Sequence, residues 1–556
     1  MSIRPPEPEA AAPSAEWTLV DQLLAEQGTL TAVERFSQWH GRGGAGAAGA
    51  GGIGGYSYSH LMPAAPPGPG EQYRFEVNLD ACTGCKACVS ACHSLNGLDD
   101  DEAWRDVGSV IGGRRGNAYQ QTVTTACHHC ADPACASGCP VAAYEKEADT
   151  GIVRHLDDQC IGCGYCVLKC PYDVPKYSKR LGIVRKCDMC AGRLREGEAP
   201  ACVQACPTGA IAIRIVRIDD IQPDIGSRLV PGAFDSSYTR PATLYRTTRP
   251  IPADARPADA GALRVEHAHW PLIGMLTLTQ LSVGLFAVLA TLTGLGKPVP
   301  SAAVFAATGV LMAGLAVSVL HLGRPLGAWR FFLGLKTSWM SREILAFNAL
   351  AGCATLSSAL AFLGTDYGSR LASGLGVESG LLPKMAACLP AALALTALVG
   401  LASVFTSVMI YVDTRRPYWN AALTTVRFFG TVPLLGTGAL AAAGPDKIWL
   451  GLSMAILTGL YGWMQAKFRR AWDDDDSPWN ASARVIKLRL RGVADTGEVL
   501  FLAALICGFC SLISSGPASA VWAALYLLSI LTGQVLDRVI FFTAAMGPRM
   551  TGGCKS

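Results

Sequence analysis

The stretch "DQCIGCGYCVLKCPYDVP", Asp158 to Pro175, carries four cysteines and a proline directly after the last of them. The CxxCxxCxxxCP spacing lets three thiolates wrap one metal-sulfur cubane while the fourth reaches a neighbouring one. The chain contains four groups of four cysteines: Cys82, Cys85, Cys88 and Cys92; Cys127, Cys130, Cys135 and Cys139; Cys160, Cys163, Cys166 and Cys170; and Cys187, Cys190, Cys202 and Cys206. The first and third groups share the spacing, although His93 takes the place of the proline in the first.

Two other roles for these cysteines fit the pattern less well. A CxxC pair suits a tetrahedral zinc site, but four quartets with four-residue tails would be an unusual set of zinc ribbons. Disulfides occur as scattered staples in secreted proteins, and the first thirty residues show no basic start followed by an apolar run. The sequence therefore predicts four [4Fe-4S] clusters, with the sixteen cysteines as iron ligands and single-electron transfer as their task.

Length and composition predict several domains, because the chain has 556 residues and half of them are apolar. Residues 1–70 combine short helical patterns, which either dock on a partner or form a plain amphipathic arm, with the glycine-rich linker "GRGGAGAAGAGGIGG". The period-two segments "YRFEVNLD" and "AIAIRIVRI" flank the cysteines and predict an α+β ferredoxin-like four-cluster domain over 71–222. A polar connector is expected over 223–268.

The rest of the chain is a series of apolar runs, most of them near the ~20 residues that a helix needs to cross hydrocarbon. The runs lie near 270–295, 302–322, 343–364, 385–411, 425–443, 448–466, 496–514 and 518–542. They predict an all-α polytopic membrane domain of about eight transmembrane helices over 269–543, followed by a tail at 544–556.

The positive charges predict the orientation of these helices. Loops on the side of the cysteines carry most of the lysine and arginine residues, whereas the opposite loops carry Lys297, Arg370, Lys384 and Lys447. By the positive-inside rule the iron-sulfur domain faces the cytoplasm, at the inner (cytoplasmic) membrane. The acidic run Asp473 to Asp476 is expected to be a solvated loop, and no basic tract predicts nucleic-acid binding.

Ionisable residues inside hydrocarbon are costly and so are functional candidates. His321 ends the second apolar run in "SVLHLGRPLGAWRFF", and Glu343 opens the third in "SWMSREILAFN". An imidazole beside a glycine-proline break on the cysteine side suits proton exchange with a quinone, so we predict this role for His321 and Glu343. Arg427 and Arg538 either have such a role or snorkel to the membrane surface.

Haem is not expected in this membrane domain. Bis-histidine haem needs paired intramembrane histidines, whereas of the nine histidines only His321 falls within a predicted span. No CxxCH attachment motif is present either. Cys507 and Cys510 form a CxxC in the seventh span, where small apolar packing residues are the expected role.

The run "ACHHCADPACASGCPVAAYEKEADTGIVRHLDDQCIGCGYCVLKCPYDVPKYSKRLGIVRKCDMCAGRLREGEAPACVQACPTGAI" resembles the four-cluster subunit of the DMSO reductase family of molybdoenzymes, from about Tyr73 to Ile211. The resemblance implies that each cubane takes three cysteines from one group and one from another. The implied sets are Cys82, Cys85, Cys88 with Cys206; Cys187, Cys190, Cys202 with Cys92; Cys127, Cys130, Cys135 with Cys170; and Cys160, Cys163, Cys166 with Cys139.

The segments "HAHWPLIGMLTLTQLSVGLF", "HLGRPLGAW", "SREI" and "PLLGTG" together resemble the haem-free anchor subunit of the same family, related to the polysulfide reductase type of anchor. That resemblance covers roughly 267–543. It implies that quinone binds near His321 and Glu343, close to the nearest cluster.

These features predict a non-catalytic, electron-transfer and membrane-anchor subunit of a molybdopterin oxidoreductase complex. Its partners would be a separate molybdopterin-containing catalytic subunit, the quinone pool and membrane lipid. The cytoplasmic cysteines favour the sulfite-oxidising members of the superfamily, that is, a sulfite:quinone oxidoreductase. A quinol-fed reductase of DMSO, another S-oxide or an N-oxide is the alternative, and an ion-translocating respiratory module is a third, disfavoured because the charges lie mostly near the ends of the spans.

Overall fold

The computed structural model describes residues 58–114, 117–221, 223–375, 381–443, 447–470 and 480–550. The predicted N-terminal arm, its glycine-rich linker, the acidic run Asp473 to Asp476 and the end of the tail lie outside the described residues. Strands and short helices make up the first part, 58–262, which we call the cysteine domain. Long helices make up the second part, 270–550, which we call the helical domain. The predicted change from α+β to all-α structure is confirmed.

Ten strands form four small sheets in the cysteine domain. They are β1 (Glu71–Asn78), β2 (Asp106–Gly112), β3 (Tyr119–Thr125), β4 (Tyr144–Lys146), β5 (Val153–His155), β6 (Lys176–Ser178), β7 (Ile183–Arg185), β8 (Ile211–Arg217), β9 (Leu244–Arg246) and β10 (Arg256–Pro257). β1 lies between β8 and β9, and β2 lies between β10 and β3. β4 pairs with β5, and β6 with β7. Because β9 and β10 come from the stretch predicted as a connector, that stretch completes both larger sheets.

The pairing of β1 with β8 joins the two ends of the segment that carries the four cysteine groups. The strands are antiparallel, and Phe75 lies opposite Ile213. Tyr73, Phe75 and Val77 are buried on one face of β1, as the period-two pattern predicts. The four cysteine groups are therefore enclosed between two strands that the alternation of apolar residues identifies.

Five short helices carry cysteines or follow them: α1 (Ala87–Asn96), α2 (Ala134–Gly138), α3 (Tyr165–Lys169), α4 (Ala191–Arg195) and α5 (Ala201–Gln204). α1 follows Lys86, whose φ is 62°, and α3 follows Gly164, whose φ is 70°. A left-handed residue directly after the CxxC pair turns the chain back, so that the third cysteine of the motif, on the helix, faces the first two. Glycine adopts this conformation at little cost, whereas lysine does not.

The helical domain contains eleven helices in its described residues. They are α6 (Trp270–Gly294), α7 (Ser301–Val319), α8 (Trp339–Leu363), α9 (Asp366–Gly374), α10 (Leu382–Ala386), α11 (Leu389–Val412), α12 (Ala421–Ala443), α13 (Lys447–Arg470), α14 (Asn480–Arg489), α15 (Arg491–Ile513) and α16 (Pro517–Thr543). All eight apolar runs predicted as spans are helical.

Six stretches within the described residues are long and apolar enough to cross a membrane: Trp270–Gly294, Ser301–Val319, Trp339–Leu363, Leu382–Val412, Arg491–Ile513 and Pro517–Thr543. The two remaining runs are α12 and α13, which lie outside this set. α12 contains Pro433 and the buried side chains of Thr424, Arg427 and Thr431, which reduce its apolar character. Six candidate spans are thus established by length and composition, and the count of eight stays a prediction.

Polar contacts join the cysteine domain to the ends of the long helices. Lys169 Nζ lies 2.8 Å from Asp413 Oδ2, directly after α11. The Tyr165 hydroxyl donates to the carbonyl oxygen of Ile410 at 2.9 Å. Ser338, before α8, donates to the carbonyl oxygen of Gly138 at 2.7 Å. The third and second cysteine groups therefore sit directly on the helical domain.

The loop after α7 packs tightly on the third cysteine group through glycines. The ideal Cβ position of Gly162 lies 3.0 Å from the backbone of Gly323, and that of Gly182 lies 3.0 Å from the carbonyl oxygen of Gly323. Only residues without a side chain allow backbones to approach this closely. The "HLGRP" motif is thereby fixed against the "CIGCG" motif, although the two are about 160 residues apart in the sequence.

Candidate functional site

Three cavities in the cysteine domain are each lined by four cysteines. The sets are Cys82, Cys85, Cys88 and Cys206, the first quartet; Cys92, Cys187, Cys190 and Cys202, the second quartet; and Cys127, Cys130, Cys135 and Cys170, the third quartet. Each quartet combines three cysteines of one sequence group with a single cysteine of another. Each cavity thus brings together cysteines that are far apart in the sequence.

The remaining four cysteines form a fourth quartet. Cys139, Cys160 and Cys166 lie in one buried apolar cluster, with Cys163 packed against it. Cys135 of the third quartet packs against the same cluster. The structure therefore groups twelve cysteines in three of the sets that the family resemblance implies and leaves the other four together in one cluster, and iron ligation by all sixteen stays a prediction.

The quartets follow one another in a row. Buried packing links neighbouring quartets: Cys88, Cys202, Cys187 and Cys127, from the first three quartets, belong to one buried cluster, and Cys135 of the third packs against the cluster that holds Cys139 and Cys160 of the fourth. The order from the first quartet to the fourth is thus continuous. Redox centres in these four places would form a chain across the domain.

The cysteines of the quartets are suited to holding iron-sulfur clusters. Among the described residues these cysteines form no disulfide bonds. Backbone N–H groups instead donate to the sulfurs from outside: Ala143 to Cys139 at 3.2 Å, Ala210 to Cys206 at 3.2 Å, Gly162 to Cys160 at 3.4 Å and Met189 to Cys187 at 3.4 Å. Such bonds support the anionic sulfur of a cluster.

Burial makes several of these thiols hard to ionise without a metal. It raises the pKa of Cys163 to about 12 and that of Cys170 to about 11. A free thiol at either position would be neutral at pH 7, whereas coordination to a metal deprotonates a thiol outright. Thiols that are buried with sulfur-directed N–H groups are therefore suited to a bound cluster rather than to free thiol chemistry.

Arg105 and Lys186 are buried cations beside the quartets that the sequence did not predict. Arg105 and Lys186 are 2% and 3% exposed. Lys186 Nζ donates to the carbonyl oxygen of Cys187 at 2.8 Å and to that of Val153. Lysine and arginine are almost never fully buried without a partner, so burial is not expected for either residue. The position of Lys186 next to Cys187 and the position of Arg105 before β2 gave no signal of it.

A cavity of about 790 Å³ lies where the cysteine domain meets the helical domain. The cysteine domain contributes Cys163 of the fourth quartet and Cys170 of the third to its walls. The helical domain and the segment before it contribute His267, His269, His321, Trp419 and Phe542. The volume lies within the range of about 300–1,000 Å³ that ligand pockets occupy, and the walls mix aromatic faces with charged and polar side chains.

Three histidines gather on one side of this cavity. His321 lies two residues beyond the end of α7, and its Nε2 is 2.9 Å from the carbonyl oxygen of Cys163. The rings of His269 and His321 meet edge to face with centroids 5.3 Å apart. Burial lowers the pKa of His269 to about 3 and also lowers the pKa of His321, so both rings are neutral at pH 7. The paired histidines of "HAHW" were the sequence signal for this grouping, and we had predicted only His321.

Glu343 occupies a different place from His321. Its carboxylate accepts a hydrogen bond from the Ser407 hydroxyl at 2.5 Å inside the helical domain, and it is not among the described residues that line the cavity. The ring of Tyr411 lies 5.0 Å from that of Trp419, which lines the cavity. The structure thus places His321 at the wall of the cavity and Glu343 inside the helical domain, bonded to Ser407.

Comparison with known proteins assigns the two parts separately. Residues 119–215 match the 4Fe-4S dicluster domain family, and residues 265–460 match the DMSO reductase anchor subunit (DmsC) family. A subunit of the anaerobic dimethyl sulfoxide reductase of Haemophilus influenzae is 37% identical over 167 residues, which are 28% of this chain and 80% of that protein. This chain belongs to the dimethyl sulfoxide reductase family of electron-transfer subunits.

Two further relatives of this dimethyl sulfoxide reductase family chain come from Escherichia coli K12. YnfG, a probable anaerobic dimethyl sulfoxide reductase subunit, is 38% identical over 148 residues, which are 25% of this chain and 72% of the relative. The iron-sulfur subunit of the nitrate-inducible formate dehydrogenase is 34% identical over 166 residues, which are 26% of this chain and 56% of the relative. All these matches cover about the length of the cysteine domain alone.

The predicted fusion is confirmed by these matches. Separate parts of the sequence match an iron-sulfur family and a membrane anchor family. An electron-transfer subunit and an anchor subunit of the dimethyl sulfoxide reductase family are therefore joined here in one polypeptide. The chain is thus the electron-transfer and anchor component of a dimethyl sulfoxide reductase-like complex, and six of its described stretches are long and apolar enough to cross a membrane. The sulfite branch of the prediction is not covered by these matches.

The anchor part of this family member also contains a buried ionic cluster. Asp537 Oδ2 lies 2.9 Å from Arg538 Nη1, and its Oδ1 lies 3.5 Å from Arg427 Nε. Arg427 and Arg538 are 2% and 0% exposed, so the alternative that these arginines snorkel to the membrane surface is wrong. Arg538 Nη2 donates to Gln280 on α6 and to Thr431 on α12, both at 3.0 Å. The cluster ties α6, α12 and α16 together from inside.

Proposed function

We propose that this chain conducts electrons between a molybdopterin catalytic subunit and membrane quinone, through four [4Fe-4S] clusters held by the four quartets. The observation that carries the proposal is the cavity of about 790 Å³ whose wall includes Cys163 of the fourth quartet. A ligand in that cavity would lie at the end of the row of quartets. The proposal puts the cysteine domain on the cytoplasmic side of the inner membrane, as the lysine and arginine residues indicate.

Each cluster, when bound, supplies a one-electron redox centre. The sixteen cysteines would hold the iron, and the N–H groups of Ala143 and Ala210 would support sulfurs of the fourth and first quartets. Apolar side chains such as Ile161, Val184 and Ile211 pack against the quartets and keep water away. The protein thus provides ligands, hydrogen bonds and a dry surrounding, which together set the potential of a cluster.

The cavity can bind a quinone by contacts of two kinds. Trp419 and Phe542 present aromatic faces on which a flat ring can pack. His321 presents the polar contact: the hydrogen bond to the Cys163 carbonyl needs the hydrogen on Nε2, which leaves Nδ1 as an acceptor for a quinol hydroxyl. The same hydrogen bond connects the quinone-binding residue to the fourth quartet, so the proposed path from quinol to cluster is short.

Glu343 is the group that we propose for proton exchange with this site. It is buried, and the hydrogen bond that it accepts from Ser407 leaves the carboxylate able to take up a proton. Tyr411 packs on Trp419 and Phe542, which line the cavity. Carboxyl groups in such positions commonly belong to proton relays in membrane proteins.

The catalytic subunit would dock at the opposite end of the row. The first quartet is the one farthest from the cavity in the order of the quartets, and its Cys85 is exposed. An electron arriving there would pass through the second and third quartets to the fourth. The chain itself would perform no substrate chemistry, and the substrate would be that of its partner.

Two directions of flow follow from two observations. The positive charges on the cysteine side favour a cytoplasmic sulfite:quinone oxidoreductase. The names of the Haemophilus influenzae and YnfG relatives favour a quinol-fed reductase of dimethyl sulfoxide or of another S-oxide or N-oxide. The chain's own residues serve either direction, because the row of quartets and the cavity are the same in both.

The test uses the whole complex, purified without oxygen through this chain. Quinone reduction is measured with sulfite as the only electron donor, and quinol oxidation is measured with dimethyl sulfoxide or trimethylamine N-oxide as acceptor. Sulfite-dependent reduction would support the first direction, and quinol oxidation by an oxide would support the second. Iron-sulfur clusters that are present but that quinol cannot reduce would contradict the proposed path from cavity to quartets.

A further inference from the structure

Arg105 is a buried cation whose guanidinium is only partly satisfied by the protein. Its Nη1 donates to the Thr124 hydroxyl at 3.2 Å, and the guanidinium carbon lies 4.8 Å from the centroid of the Phe75 ring. Its Nη2 is buried and has no hydrogen-bond partner, and Arg105 forms no ion pair, within the described parts of the chain. A charge buried in this way needs an anion nearby, because leaving it uncompensated is strongly unfavourable.

The thiols around Arg105 belong to two quartets. Arg105 lines the cavity of the second quartet, and its partner Thr124 lies 3.6 Å from Cys88 Sγ of the first. The guanidinium of Arg105 is charged at any ordinary pH, because arginine is not deprotonated in proteins. Arg105 thus stands between the first and second quartets.

Lys186 has the same relation to the second and third quartets. It lines the cavity of the third quartet, and it precedes Cys187 of the second. Its Nζ donates to the carbonyl oxygens of Cys187 and Val153. Neither Arg105 nor Lys186 is among the described residues that line the large cavity beside the fourth quartet. These two cations therefore accompany the first three quartets.

A cluster that takes up an electron becomes more negative by one charge, and a buried cation beside it stabilises that reduced form. We propose that Arg105 and Lys186 set the reduction potentials of the first three clusters, each cation raising the potentials of the two clusters that flank it. This inference rests on the proposed function, because it needs clusters in the quartets. With these higher potentials, electrons would reside preferentially on the three clusters on the side of the catalytic subunit.

The test is a redox titration followed by electron paramagnetic resonance, on the complex purified without oxygen. In Arg105→Gln we expect two of the four clusters to become harder to reduce, with at least a tenfold lower ratio of reduced to oxidised form at a fixed potential. For a one-electron couple this is 59 mV. In Lys186→Gln we also expect two clusters to shift, one of them shared with Arg105→Gln. The fourth cluster should titrate as in the unmodified chain in both variants.

Two control variants separate buried charge from other effects. Lys86→Gln removes an exposed charge next to Cys85, where water screens it, and it should change the ratio by less than threefold. Arg105→Lys keeps the charge and loses the planar fork, so its clusters should titrate close to those of the unmodified chain. If Arg105 only supported the fold, Arg105→Lys and Arg105→Gln would behave alike.

The outcomes are distinct from those of the proposed function. Unchanged potentials in Arg105→Gln, with iron and sulfide contents equal to those of the unmodified chain, would overturn the inference. An equal shift of all four clusters, or a shift in Lys86→Gln as large as in Arg105→Gln, would do the same. Iron and sulfide missing from the unmodified chain would instead overturn the proposed function, before any cation is replaced.

Discussion

The imidazole Nε2 of His321 lies 2.9 Å from the carbonyl oxygen of Cys163, although 158 residues separate them in the sequence. Because a carbonyl oxygen can only accept, the hydrogen must be on Nε2, and Nδ1 is left as an acceptor. One hydrogen bond therefore fixes both the tautomer of His321 and the position of its ring against the fourth quartet. Quinone chemistry and cluster chemistry are coupled through this contact in our proposal.

We expect His321→Ala to lower quinone-linked turnover more than tenfold, because the acceptor for the quinol hydroxyl is removed. Electron transfer from the catalytic subunit to a soluble dye, which bypasses the cavity, should change less than twofold. Cluster content, measured as iron and sulfide per chain, should be the same as in the unmodified protein. The two activities measured on the same preparation separate a loss at the cavity from a loss of clusters.

The matched control is His60→Ala, which removes an exposed imidazole of the cysteine domain. It should leave both activities within twofold of the unmodified chain. Quinone-linked turnover that is equal in His321→Ala and His60→Ala would refute a role for His321 in the cavity.

The buried histidines predict a dependence of stability on pH. Burial lowers the pKa of His269 from 6.5 to about 3, and His321, His267 and Arg416 contribute to the same shift. Below pH 6.5 the unfolded chain takes up a proton at this position that the folded chain does not, so the stability is complete above that pH and is lost as the pH falls towards 3. Between pH 7 and pH 5 the loss from this group is roughly 2 kcal/mol.

Thermal unfolding in detergent at the two pH values checks this prediction. His269→Asn removes the titrating ring, so its midpoint should fall less between pH 7 and pH 5 than the midpoint of the unmodified chain does. An equal fall in both proteins would show that His269 does not carry this dependence.

The contact of the "HLGRP" loop with the third cysteine group predicts the effect of a single methyl group. A Cβ on Gly323 would collide with the carbonyl oxygen of Gly182 and lie 2.8 Å from the Tyr177 hydroxyl. We expect Gly323→Ala to cost about 1–3 kcal/mol, the usual penalty for overpacking. It should also lower quinone-linked turnover, because His321 lies two residues before it. Gly309→Ala in α7 is the control, since nothing lies within 4 Å of that Cβ.

The sequence predicted the parts of this protein that depend on local order. The spacing around Cys160 and the alternation around Phe75 and Ile213 are properties of a few neighbouring residues, and the structure follows both. The sets of four cysteines needed the resemblance to a known family, because spacing alone does not say which fourth cysteine joins which three. The apolar runs gave the helices, but not how many of them span the membrane.

The rest depends on residues that meet only in the folded chain. Nothing near Arg105 in the sequence indicates Cys88 and Cys202 as its neighbours, because Cys88 lies many residues before it and Cys202 many residues after it. Likewise Arg427 could be assigned to the membrane surface or to the interior until the partner Asp537 was placed beside it. Which face of a helix is inside is decided by the neighbouring helices, and the weak amphipathic pattern of apolar spans carries little of that information.

The ionic cluster in the helical domain gives the last prediction. Replacing Asp537 by asparagine leaves Arg427 and Arg538 buried without their carboxylate, and breaking a buried pair in this way costs about 3–5 kcal/mol. The control Asp495→Asn removes an exposed carboxylate, 64% exposed and 3.4 Å from Arg491, which is worth about 0.3–0.5 kcal/mol. The unfolding midpoint in detergent should therefore fall strongly in the first variant and hardly in the second. Equal midpoints would mean that the neutral donors and acceptors around the arginines, the Tyr418 hydroxyl and Gln280 among them, hold these charges without Asp537.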